Sequence, residues 1–136
     1  MYTVFDHTAD LGIEVTAPTL DLLLADAARG LTAVIVGDPA QIEPRREDVF
    51  RVSGTDPVWL LADWIGDVLA AFEIRRMLYR EFVVTVGPTG LEARARGEVY
   101  APGRHTLAHE VKAVTQHLLD VRRTATGWQA TFVVDI

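Results

Sequence analysis

The sequence predicts an α+β fold, a single two-layer domain over residues 1–136 in which a mostly antiparallel sheet packs against two amphipathic helices. Three observations lead there. Two segments carry apolar residues at helical spacing, the segments around them alternate with period two, and 136 residues with 49% hydrophobic content suit one core. A chain of this size buries about two-thirds of the surface its unfolded form exposes, so neither disulfide nor metal is needed merely to fold.

The elements follow in order. "LGIEVTA" places Leu11, Ile13, Val15 and Ala17 on one face and Glu14 and Thr16 on the other, which predicts the first strand, ended by Pro18. Thr19 can cap a helix over 20–36 whose stripe is Leu20, Leu23, Leu24, Ala27, Ala28, Leu31, Val34 and Ile35, with Gly37 at its end. "DPAQIEPRRED" reads as a loop before a short strand near 48–52. Asp56 and Pro57 start a second helix with the stripe Leu61, Trp64, Ile65, Val68, Leu69 and Phe72.

From residue 80 the period is two. "EFVVTV", the turn "GPTG" and "LEARARGEVY" form a hairpin, with Leu91, Ala93, Ala95 and Val99 inward and Glu92, Arg94, Arg96 and Glu98 outward. After the loop "APGRHTLAH", segments 111–123 and 128–135 form a second hairpin across "TATG".

Composition removes whole classes of chemistry. The absence of cysteine excludes a thiolate nucleophile, a cysteine-type zinc site and a disulfide framework, and suits a reducing cytoplasm. Thirteen Lys and Arg against nineteen Asp and Glu give a net charge of -6, which repels a phosphate backbone, so any RNA would be held by a partner. "MYTVFDHTAD" has no basic segment before an apolar run, and no apolar stretch reaches the ~18 residues of a membrane span. A soluble, cytoplasmic protein is expected.

Four groups of residues are candidates for function. In "DHTAD", Asp6, His7 and Asp10 precede a strand, where Thr8 and Asp10 also suit a turn. In the last strand Trp128, Ala130, Phe132 and Val134 point one way, and Gln129, Thr131, Val133 and Asp135 the other. A strand apolar to its last residue predicts an ordered end, so the Asp135 carboxylate and that of Ile136 would sit fixed and close. Such charges repel unless a cation or proton offsets them, and a hard divalent cation suits an all-oxygen site.

In "EVKAVTQH", Lys112, Val114 and Gln116 share one strand face, and Val111, Ala113, Thr115 and His117 the other; strand lysines are mostly solvated. His105, His109 and His117 form the fourth group. A zinc pair at 105 and 109 would need a helix, but Pro102 and Gly103 precede it and no His-Glu-x-x-His pattern exists. No Gly-x-Ser-x-Gly, Walker loop or dinucleotide fingerprint is present, and Ser53, the sole serine, suits a turn.

With "FDHTADLGI", the helix after Thr19, "EFVVTV", "EVKAVTQH" and "FVVDI" in this order and spacing, the chain resembles the archease family over nearly its full length. Archeases activate the RtcB-type ligase of tRNA splicing. The resemblance implies that Asp10 binds a divalent metal ion, with Asp135 and Ile136 adding oxygens, the terminal carboxylate included; all-oxygen ligation allows calcium, magnesium or manganese. It implies a ligase-activating role for Lys112, with His105 at a frequent histidine position ahead of it. Gln116 departs from the pattern, standing where an aromatic residue is usual.

Such a protein makes no RNA bond itself. The resemblance implies that it promotes guanylyl transfer from GTP onto the ligase's histidine and repeated turnover, meeting RNA only through the ligase. Two rival readings are a metal-dependent hydrolase using the Asp10 cluster with His7 or His105 as base, and a chaperone-like interaction module.

Overall fold

A computed structural model describes residues 1–7 and 9–136, with His7 described through its backbone alone. The order is β1 (Tyr2–His7), β2 (Asp10–Ala17), α1 (Leu20–Val36), a 3-10 turn (Pro39–Gln41), β3 (Arg46–Ser53), α2 (Pro57–Arg75), β4 (Met77–Gly87), β5 (Gly90–Val99), β6 (Ala113–Thr124) and β7 (Gly127–Asp135). The α+β class holds. The strands divide into two antiparallel sheets, one ordered β1-β2-β7-β6 and the other β3-β5-β4.

The first helix begins where Thr19 Oγ1 accepts the Leu22 N–H at 3.2 Å and ends at Gly37, whose φ of 79° suits a residue without Cβ. It is buried nearly all round because it touches both sheets, β1, β2 and β7 on one side and β4 on the other. The second helix is capped by the Asp56 side chain, which accepts the Val58 N–H at 2.9 Å. It buries Leu61, Trp64, Ile65, Val68 and Leu69 and leaves Trp59 half exposed. Trp64 ties the helices together: its indole N–H donates to the Leu24 carbonyl at 2.9 Å, and its ring meets Phe50 and Phe82 edge-on.

Three sequence expectations change. The strand expected to be first is preceded by β1, an edge strand whose one-sided pairing leaves Val4 exposed and its alternation weak. Glu98, expected outward, is 9% exposed, whereas Val99, expected inward, is 51% exposed. The cause is local. An extra residue, Arg80, bulges from β4 between Tyr79 and Glu81, and opposite it a Cβ on Gly97 would lie 1.8 Å from the Leu78 carbonyl oxygen. The added twist at a bulge puts both Gly97 and Glu98 inside and turns Val99 out.

The segment from Val111 also departs from one regular strand. Val111 is buried and Lys112 exposed ahead of the strand, which starts at Ala113. Its register on β7 jumps from Thr115↔Val133 to Asp120↔Thr131, so residues 116–119 stand out opposite Phe132 alone, with Leu118 at a left-handed φ of 58°. Lys112 lies ahead of the strand and Gln116 inside this bulge, so the face expected for Lys112, Val114 and Gln116 is not one regular strand face.

Candidate functional site

The β2–β7 ladder sets Asp10 directly opposite Asp135. One residue further in, Leu11 opposes Val134, then Gly12 opposes Val133 and Ile13 opposes Phe132. Leu11, Ile13, Phe132 and Val134 belong to the core, so the period-two alternation sends Asp10, Gly12, Val133 and Asp135 to the opposite face. There Phe5 roofs Gly12, where an added Cβ would lie 2.0 Å from the ring, and Val133 is fully buried. The two half-buried carboxylates stand at the open end of this apolar patch. Side chains directly opposite across antiparallel strands have Cβ atoms about 5 Å apart, within reach of one ion.

The same row continues across the sheet. The backbone of His7 pairs opposite Asp10, and Ala113 opposite Asp135. Lys112 donates its N–H to the Asp135 carbonyl at 2.8 Å, which lays its backbone beside Ile136, itself half-buried against the core. Asp10, Asp135, Ile136 and Lys112 therefore meet at one end of the four-stranded sheet. Among the described residues no group of three or more His, Asp or Glu side chains is gathered to hold a metal. Among the described residues, the carboxylates at this end are those of Asp10 and Asp135, next to Ile136.

His105 lies apart from them. Its side chain is fully buried, and its Nδ1 accepts the Ala101 N–H at 2.8 Å, which places the ring proton on Nε2, 3.0 Å from Glu98 Oε2. Glu98 also accepts the Glu43 N–H at 2.6 Å and is paired with the Arg104 guanidinium. Burial alone would push the Glu98 carboxyl up, but the Glu43 N–H, His105 and Arg104 outweigh it and leave it below the usual carboxylate range. His105 is thus a clasp joining the end of β5, the segment before β3 and loop 100–105.

His109 sits in an irregular loop and His117 in the bulge of β6, so the helical zinc pair does not form. Ser53 ends β3 on the surface. Sequence reasoning missed Glu98 and Arg104; Gly97, a glycine inside a strand pattern, was the available signal of a bulge. It also missed a cleft of about 600 Å³ between the end of α2 and residues 107–112, lined by Phe72, Arg76, Leu107, His109 and Lys112 among others.

Comparison with known proteins places this architecture. The model of the archease protein family (MTH1598/TM1083) matches residues 2–136. The protein archease of Methanopyrus kandleri is 40% identical over 135 residues, covering 96% of each chain. That of Methanosarcina mazei is 32% identical over 140 residues, covering 99% of this chain and 95% of its own. The solution structure of Methanobacterium thermoautotrophicum protein 1598 superimposes with a TM-score of 0.83 at 25% identity, covering 99% of this chain and 98% of that one. A Thermotoga maritima crystal structure, described as an archease and possible chaperone, shares the fold with a TM-score of 0.65 at 20% identity over 100% and 98% of the two chains. By sequence over nearly its whole length and by fold, the chain belongs to the archease family.

Proposed function

We propose that this protein is a non-enzymatic, metal-binding activator of an RtcB-type RNA ligase, working in the cytoplasm to promote GTP-dependent guanylylation of the ligase histidine and repeated turnover in tRNA splicing or RNA repair. The observation that carries the reading is the register of Asp10 on Asp135, with Lys112 hydrogen-bonded to Asp135 beside it. Fixed carboxylates held side by side are hard oxygen donors and fit a divalent cation such as calcium, or magnesium or manganese. Asp10, Asp135 and the Ile136 carboxylate would hold it. When bound, such an ion supplies positive charge against the phosphates of GTP.

The chain's own groups do the rest. The β-ladder holds the Asp10 and Asp135 backbones opposite each other, so only their short side chains are left to order on binding. The Lys112 backbone lies at the same end, and the residue lines the adjoining cleft, where a compact ammonium would suit a phosphate oxygen or a ligase carboxylate. Glu98 and His105 support this from a distance by fixing the start of the loop that leads to Lys112. A net charge of -6 keeps RNA contact with the ligase. A hydrolase using His105 as base is disfavoured, because that ring is fully buried with both nitrogens engaged.

The test is multiple-turnover ligation by the partner ligase with GTP, adding the wild type, Asp10→Ala, Asp135→Ala or a chain lacking Ile136. The wild type should sustain repeated turnover, and each variant should lose about tenfold or more of the stimulation, the scale typical of a damaged metal site. Equal stimulation by folded variants would refute the metal role.

A further inference from the structure

The cleft beside Lys112 has a second cation whose placement the fold does not explain. Arg76 ends α2 in the left-handed region, φ 57°, where a glycine is usual and any side chain is strained. Its N–H reaches the Ala71 and Phe72 carbonyls, and its carbonyl accepts the Tyr100 N–H at 2.7 Å. The guanidinium lies 4.7 Å from the centre of the Phe72 ring and 5.5 Å from that of Tyr100. Stacking on ring faces restrains the plane and leaves the edge N–H groups to point at a ligand.

Most arginines of this acidic chain are paired with carboxylates, as Arg29, Arg45, Arg46, Arg94, Arg104 and Arg122 are. Among the described residues Arg76 and Lys112 make no ion pair, and both line the same cleft. A forked guanidinium and a point-like ammonium together can engage three oxygens, which a phosphate group offers and a carboxylate does not. The cleft, about 600 Å³, is of the size that takes a small molecule rather than a bare ion.

We propose that this cleft binds a phosphate group, gripped by Arg76 and Lys112, while Phe72 and Leu107 receive the moiety that bears it. Glu73 and Glu110 also line the cleft, bring its charge close to neutral, and restrict it to one phosphate rather than a polyanionic run. The free anion, a nucleotide or an RNA end could supply that phosphate. Lys112 is shared with the activator reading above, but the test needs no ligase, so either idea can fail alone.

Calorimetric titration of the purified full chain at low salt, with inorganic phosphate, GTP, a short RNA bearing a terminal phosphate, and acetate as control, decides the matter. At least one phosphate probe should bind and acetate should not; the tightest phosphate probe identifies the source. Arg76→Ala should weaken that binding about tenfold, Arg76→Lys less, and Glu73→Gln should strengthen it about twofold by removing a repelling charge. Arg76→Gly separates ligand from fold: it relieves the left-handed strain, so it should lose binding without a drop in melting temperature. No binding by any phosphate probe, acetate binding equal to phosphate, or unchanged affinity in Arg76→Ala would overturn the proposal.

Discussion

Glu98 and Asp135 are both carboxylates near the end of a strand, yet the fold treats them in opposite ways. Glu98 is buried and its charge is matched from within by a backbone N–H, His105 and Arg104. Asp135 is half-buried on the far face of the other sheet and is set opposite a second carboxylate, Asp10. A charge answered by the chain holds the chain together. Two like charges set opposite each other across a ladder repel and do not fasten it.

The largest effect in this contrast should come from breaking the clasp. His105→Ala leaves the buried Glu98 carboxylate short of a donor, and losing a buried hydrogen bond to a charged group together with the ring's packing costs about 3 kcal/mol. For a domain of this size that is a drop of about 10 °C in melting temperature. Thermal denaturation followed by circular dichroism reads it directly, and a melting point within a degree or two of wild type would mean the clasp is ornamental.

At Asp135 the sign should reverse. Like charges directly opposite across strands destabilise by a few tenths of a kcal/mol, so Asp135→Asn without divalent ions should melt at or slightly above wild type. Calcium sharpens the comparison. At ten times its Kd, a site present only in the folded state stabilises by about 1.4 kcal/mol, a gain that wild type should show and Asp135→Asn should lose. A calcium shift equal in both proteins would separate the carboxylate pair from metal binding.

The contrast also marks what the sequence makes legible. Both helices appear at their stated places because long, strongly periodic stripes such as Leu23 to Ile35 and Leu61 to Phe72 leave little ambiguity, and their caps are local. The placement of Asp10 against Asp135 follows from strand pairing between distant segments, which periodicity cannot express; the family resemblance, not the spacing, pointed to it. His105 is visible in the sequence as a residue but not as a clasp, because the alternation of β5 points its partner Glu98 outward and the bulge at Arg80 interrupts that alternation. Arg76 carried no local signal at all: a left-handed arginine between two rings is a product of tertiary packing.

The smallest effect is a pH dependence with a fixed sign. Because the Glu98 carboxyl is held below its ordinary value of 4.5, the stability it contributes is present above that pH and is lost as pH falls through the lowered value. Asp48 is lowered as well: burial opposes this, but hydrogen bonds from Tyr79 and Arg46 prevail, so its contribution fades in the same direction. Wild type should therefore lose stability steadily below about pH 4.5. Glu98→Gln, already weaker at neutral pH, should lose less over the same window, so the two denaturation profiles converge on acidification. Asp48 titrates in both proteins and cancels from the difference. Urea melts at successive pH values measure the gap, and a gap that stayed constant down through pH 3 would show that the Glu98 charge, as distinct from its shape and hydrogen bonds, is not what fastens loop 100–105 to the end of β5.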